Sequence, residues 1–181
     1  MNGSYLHRLV DYNNWANRGL IEFLAGQPAT VLGLTAAGVY GSIGQTFEHL
    51  FLSEISYHRK LLKLPKGPDF PTPESPTIAS LQALAEDSAQ KLAGLVEGLP
   101  EATEMLRLDD GARGAATLFT QLVMHGVEHR AHIGTILGAN GIVGLELDSW
   151  AHGIFKYGDA WPDGWGAEPA ARAEFPSINQ R

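Results

Sequence analysis

The chain has 181 residues, of which 44% are hydrophobic and 18% charged, and a formal net charge of −7. That length suits one domain with a substantial core rather than two, and the composition is that of a folded chain. The acidic balance, with no basic stripe, excludes a nucleic-acid backbone as partner, and the lack of cysteine excludes disulfides, thiolate metal ligands and a cysteine nucleophile. No apolar run is long enough to span a bilayer and the N-terminus lacks the shape of a signal peptide, so no membrane partner is expected and a cytoplasmic location is the default expectation.

Residues 3–26 read as an amphipathic helix, with Leu6, Leu9, Ala16, Leu20, Phe23 and Leu24 recurring at helical spacing. Asn2 or Ser4 is placed to cap it, and Gly26 with Pro28 to end it. Ser42-Ile43-Gly44-Gln45 has the spacing of a capping box and opens a second helix. Its apolar set is Ile43, Phe47, Leu50, Phe51, Ile55 and Leu62, and it is expected to run to about Leu64, before Pro65. Residues 65–76 hold five of the ten prolines, which predicts an extended crossover on the surface.

A third helix is expected over about 77–98, on Ile78, Leu81, Leu84, Leu92, Leu95 and Leu99, with Pro100 at its exit. Residues 100–114 read as an irregular connection around the turn signal Asp109-Asp110-Gly111; no run has convincing strand alternation. The fourth helix, about 115–138, closes at Asn140-Gly141, and Asp148 is placed to cap a short fifth helix over 149–160. Residues 161–181, rich in Gly, Pro and Ala, read as a loosely attached tail to a domain of residues 1–160. The fold class is therefore all-α: a four-helix bundle with a long proline-rich crossover between helices two and three, plus a short C-terminal helix.

The chemistry concentrates in the fourth helix. Three of the seven histidines, His125, His129 and His132, fall within eight residues. Residues four apart on a helix differ by only ~40° in azimuth and ~6 Å in height, so His125 and His129 can aim at one point, as two ligands of a divalent metal do. His129 and His132 could also pair, but His125 and His132 lie ~10 Å apart along the axis, too far for one ion. Among the remaining histidines His49 is the best third ligand, because it lies between Phe47 and the Leu50-Phe51 pair on a mostly buried part of helix two. His58, nine residues on, falls on the opposite side beside Arg59 and Lys60 and reads as a surface residue. His7 reads as packing or surface, and nothing ties His152 to the site. A di-iron carboxylate centre needs Glu-x-x-His pairs, and no glutamate in the chain has a histidine three residues on. A mononuclear three-histidine site fits better, with zinc, nickel, copper or iron about equally suited.

Tyr12-Asn13-Asn14-Trp15-Ala16-Asn17, Gly41-Ser42-Ile43-Gly44-Gln45-Thr46-Phe47-Glu48-His49 and His125-Gly126-Val127-Glu128-His129-Arg130 together resemble the signatures of the DinB-like family of metal-binding four-helix bundles. The resemblance covers about residues 5–160. It implies His49, His125 and His129 as metal ligands, an up-down-down-up bundle and homodimer formation. The chain departs from the family pattern at His132, Ala131 and Met124, where many relatives carry glutamine, glycine and asparagine. Relatives include thiol transferases and the thiol-dependent maleylpyruvate isomerase. Three neutral imidazoles would leave an ion its charge and an open position, the catalytic rather than the structural pattern. The leading expectation is a metal-dependent thiol S-transferase or related detoxification enzyme acting on a small-molecule substrate; any thiol must come from a low-molecular-weight cosubstrate. One alternative is a metal-dependent hydrolase of a small substrate, suggested by the H-x-x-E-H order of His125, Glu128 and His129. Another is a non-enzymatic metal-binding or stress protein. Arg130 reads as a helix-tying residue, and Tyr12, Trp15 and Tyr57 as core aromatics.

Overall fold

The computed structural model describes residues 4–67, 75–108, 111–143 and 147–159. The described residues are mostly α-helical: α1 (Tyr5–Ala25), α2 (Ile43–Leu61), α3 (Ile78–Ala93), α4 (Ala115–Ala139) and a short α5 (Ser149–His152), with one antiparallel hairpin of β1 (Met105–Leu108) and β2 (Gly111–Gly114). α1 packs on α3 and α4, and α2 packs on the same two helices. None of the described helices is long and apolar enough to cross a membrane.

Helix starts follow local chemistry. Ser4 Oγ accepts from His7 N at 3.4 Å at the start of α1. At α2 the expected box is complete: Gln45 N donates to Ser42 Oγ (3.3 Å) and Ser42 N to Gln45 Oε1 (3.0 Å). Thr77 and Ser80 make the same reciprocal pair at α3, and Asp148 Oδ1 accepts from Ala151 N at α5. These contacts satisfy amide donors that have no partner within a helix.

Helix ends differ more from expectation. α2 stops at Leu61 rather than Leu64; Lys63 turns left-handed at φ 55°, and Leu64 is kept from helical geometry by the proline after it. α3 ends at Ala93, where Gly94 caps it, and Val96–Gly98 form a separate 3₁₀ turn. Ala29–Gly33 form another, in the connection from α1 to α2. α5 widens after His152 into a π-turn over Gly153–Tyr157, closed by Gly158 at φ 72°. The crossover's central residues 68–74, the Asp109-Asp110 turn and the 161–181 tail lie outside the described residues.

The hairpin corrects the reading of 100–114 as irregular. Arg107 pairs with Ala112 and Leu106 with Arg113, and Leu106 alone of these is buried. Four residues a side, with two glycines in the second strand, leave too short an alternation to register as a sequence pattern. The apolar stripe of α1 is also corrected at its start. Leu6 and Leu9 are 39% and 40% exposed, and the buried stripe begins at Val10.

The core is divided. One apolar cluster gathers Leu20, Ile21 and Leu24 of α1, Ile43, Phe47, Leu50 and Phe51 of α2, Leu81 and Leu84 of α3, and Ile133, Ile136 and Leu137 of α4. A second gathers Val10 of α1, Leu61 of α2, Leu92 and Leu95, Leu106 of β1, and Leu118, Phe119, Leu122 and Val123 of α4. Between them in each long helix lies a buried polar position: Asn13 and Asn17, Glu54, Ser88 and Arg130. Glu54 Oε1 accepts from Asn13 Nδ2 (2.6 Å) and Asn17 Nδ2 (3.0 Å), and Oε2 accepts from Ser88 Oγ. Arg130 Nη1 donates to Asn13 Oδ1 and Asn17 Oδ1, each at 2.7 Å. Two asparagines thus bridge a buried carboxyl to a buried guanidinium across all four long helices. Burial pushes the Glu54 carboxyl above its ordinary range, against the four partners that favour its charged form.

Removing one member leaves the others buried and unanswered. Glu54→Ala is expected to destabilise the metal-free protein by about 3–5 kcal/mol, with Glu54→Gln costing clearly less, as measured by urea unfolding. Equal small losses in both variants would show that the seam contributes little.

Candidate metal centre

Helix periodicity sets the donor geometry. His125 and His129 are one turn apart on α4 and both buried, and His49 is half-buried on α2, which packs against α4. The three rings meet. His129 Nε2 lies 3.0 Å from His125 Nε2, which lies 3.2 Å from His49 Nε2, and one ring nitrogen from each residue falls within 4.8 Å of the others. Of the described residues, these alone form a cluster of three or more metal-ligating side chains.

A hydrogen-bond relay along the three rings does not explain this convergence. His125 Nε2 takes part in both short contacts, and in a neutral ring one nitrogen carries either a hydrogen or a lone pair. It cannot donate to one neighbour and accept from the other. His125 Nδ1 and His129 Nδ1 are buried without partners, so the rings are not held from behind. Imidazole nitrogens bound at ~2.0–2.1 Å to one ion sit roughly 3.0–3.4 Å apart when adjacent, which matches the two shortest separations. The residues present therefore fit a divalent ion.

Their protonation state fits as well. Burial holds His125 down to about 4, with the charge of His49 adding to the effect. Burial also holds His129 down to about 4, reinforced by His125, His49 and His132 and opposed by Glu128. Burial lowers His49 in the same direction. Near neutral pH the three rings offer lone pairs rather than positive charge.

Two tyrosines frame the cluster. Tyr40, in the connection before α2, stacks on His49 with centroids 4.5 Å apart and meets His129 edge-on at 5.4 Å. It is 45% exposed, so the triad faces solvent on that side through Tyr40 and half-buried His49. Tyr57 of α2 meets the His125 ring edge-on at 5.8 Å, which places it beside the cluster as well as in the core. Tyr40 went unnoticed in the sequence because it lies in a loop, outside any helical repeat.

The other candidates fall elsewhere. The His132 ring is 5.5 Å from that of His129, next to the triad and outside the convergent set. Glu128 is exposed, on a different face of α4 from the buried His125 and His129. His7 pairs at the surface with Glu97 (2.8 Å). His58 is half-buried near Lys91, and burial lowers its pKa. His152 is buried among the rings of Tyr12, Trp15 and Tyr157 and faces Asp11 Oδ2 at 3.6 Å, where it helps to seat the C-terminal segment on α1. Arg130 does tie helices, through Asn13 and Asn17 rather than by a direct ion pair.

Comparison of the sequence with protein-family models and with curated proteins gives no match.

The depressed histidines set a pH dependence for the metal-free protein. Above the ordinary value of 6.5 both folded and unfolded rings are neutral and contribute nothing. As pH falls below it, the unfolded chain takes up protons that the folded triad refuses until about 4. Stability should therefore fall from pH 6.5 towards 4, and His129→Gln should flatten that fall. Urea unfolding at a series of pH values checks both.

Proposed function

We propose that this protein is a DinB-like four-helix bundle in which His49, His125 and His129 hold one divalent transition metal (zinc, nickel, iron or copper) and that it acts as a metal-dependent thiol S-transferase or related detoxification enzyme. The observation that carries the metal reading is the convergence of three Nε2 atoms at 3.0 and 3.2 Å, with no donor-to-acceptor relay able to run through His125 Nε2.

The layering of the core supports the bundle's direction. Along the sequence α1 and α4 pass from the Leu92 cluster to the Phe47 cluster, whereas α2 and α3 pass the other way. That is the order of an up-down-down-up bundle, and it accounts for a long connection between α2 and α3: the chain leaves α2 at one end and must enter α3 at the other. The match of motifs along residues 5–160 supports the family, and homodimer formation belongs to the same reading.

When bound, the ion would supply Lewis acidity, lowering the pKa of a water or thiol at its open position. The chain's own part is to present three uncharged rings from two packed helices, with Tyr40 and Tyr57 as aromatic walls. Having no cysteine, it would take any thiol from a small cosubstrate. The hydrolase alternative has weaker support, because Glu128 is exposed and does not share the buried face of His125 and His129. A non-enzymatic role has weaker support too, since three ligands leave a position for an exogenous group.

Elemental analysis of untagged protein should find about one transition metal per chain, in line with a single three-histidine site, and His49→Ala and His129→Ala should each lose it. In a cobalt-substituted sample a small thiol should add a near-ultraviolet charge-transfer band. A protein that takes up no metal after reconstitution ends the metal reading; a metal spectrum indifferent to thiols, carboxylates and azide ends the transferase one.

A further inference from the structure

A histidine that ligates a metal is ordinarily steered by its second ring nitrogen, which donates to a carboxylate, a carbonyl or water. The triad lacks such partners. Nδ1 of His125 and Nδ1 of His129 are buried without one, and the His49 ring, among the described residues, is in hydrogen-bonding range only of His125, through Nε2. What touches these rings instead is aromatic. Tyr40 stacks on His49 with centroids 4.5 Å apart and meets His129 edge-on at 5.4 Å, and Tyr57 meets His125 edge-on at 5.8 Å.

The two tyrosines differ in what else they do. Tyr57 is half-buried against the second apolar cluster, so it also serves the core. Tyr40 belongs to none of the apolar clusters and is exposed, yet its backbone is fixed by the start of α2. Thr46, fully buried in the opening turn of that helix, brings its hydroxyl into hydrogen-bond contact with Tyr40 O as well as Ser42 O. Between them Gly41 turns left-handed at φ 55°, where a Cβ would lie 2.9 Å from Gln45 Oε1, the group that accepts from Ser42 N. Tyr40 and His49 are thus carried by one local unit, the capped start of α2, and the tyrosine ring lies on the least buried of the three donors.

We propose that Tyr40 is a positioning residue of the metal centre: by stacking on His49 and abutting His129 it holds both imidazoles in the orientation that aims Nε2 at the ion, in place of the hydrogen bonds such rings usually have. The inference rests on the metal reading above. An imidazole already restricted to its binding orientation loses less freedom when the ion arrives, which appears as tighter binding. The aromatic ring rather than the hydroxyl carries the effect, because both contacts are made by the ring.

Cobalt would be titrated into the metal-free full chain in competition with a chelator, for the wild type, Tyr40→Phe and Tyr40→Leu, with urea unfolding of each metal-free protein alongside. Tyr40→Phe keeps the ring and should match the wild type in affinity and in visible spectrum. Tyr40→Leu keeps apolar bulk without the ring; its affinity should fall roughly 10–100-fold, as on loss of an outer partner of a metal ligand, and its cobalt bands should change in position or intensity. The metal-free stability of both variants should equal that of the wild type, since Tyr40 lies outside the apolar clusters. Wild-type affinity in Tyr40→Leu, an equal loss in Tyr40→Phe, or a metal-free stability that falls in step with affinity would each overturn this proposal and leave the metal reading standing. A wild-type chain that takes up no cobalt overturns both.

Discussion

The structure depends on a polar seam buried at mid-height in the helical core. A carboxyl from α2 and a guanidinium from α4 lie within it, joined by two asparagine amides from α1 and a hydroxyl from α3. Each asparagine uses its amide in both senses, donating to Glu54 and accepting from Arg130. Such a bridge tolerates little error. A shift of one helix by a residue would replace these hydrogen bonds by unpaired buried groups, each costing roughly 1–3 kcal/mol or more when charged. Apolar packing above and below is less discriminating, because leucines meet leucines over a range of offsets. The seam therefore sets the relative height and rotation of the helices, and the two apolar layers supply the bulk of the driving force.

The histidine cluster inherits its geometry from that constraint. Arg130 follows His129 directly, so fixing the guanidinium against Asn13 and Asn17 fixes the rotation of α4 to within a small angle. Gly126, one turn before Arg130, leaves room for the bridge: a Cβ there would come within 2.4 Å of Asn13 Oδ1. With α4 held on that side, His125 and His129 turn towards α2, where Glu54 and His49 occupy the same helix five residues apart. One network thus positions donors on two helices that have no covalent link near the site. Burial of the rings of His125 and His129, with their histidine neighbours adding to it, makes them resist protonation.

Much of this was legible locally. The capping box at Ser42 and Gln45, the span of α4 and the i, i+4 pairing of His125 and His129 all follow from interactions within a few residues, and each stands where the sequence pattern put it. The choice of His49 over His58 rested on its apolar neighbours, and the structure brings His49 alone to the pair. Readings that depended on distant partners fared worse. The hairpin of β1 and β2 exists because its strands pair with each other and Leu106 packs into the second apolar cluster, which four-residue strands cannot announce. Leu6 and Leu9 repeat the stripe of α1 faithfully, yet none of the described residues covers them well enough to bury them.

Sequence alone determined where helices begin and which histidines share a face, because capping and periodicity are properties of neighbours along the chain. It also carried the letters of the seam. Asn13 and Asn17 sit one turn apart in α1, and Glu54 continues the helical spacing of Phe47 and Leu50. A polar residue on an apolar stripe is ambiguous until its partner is known, and here the partners lie 34 to 117 positions away. Only the packed structure decided that these residues satisfy one another and that three histidines from two helices share one point. Those outcomes depend on distances between helices, which no local pattern encodes.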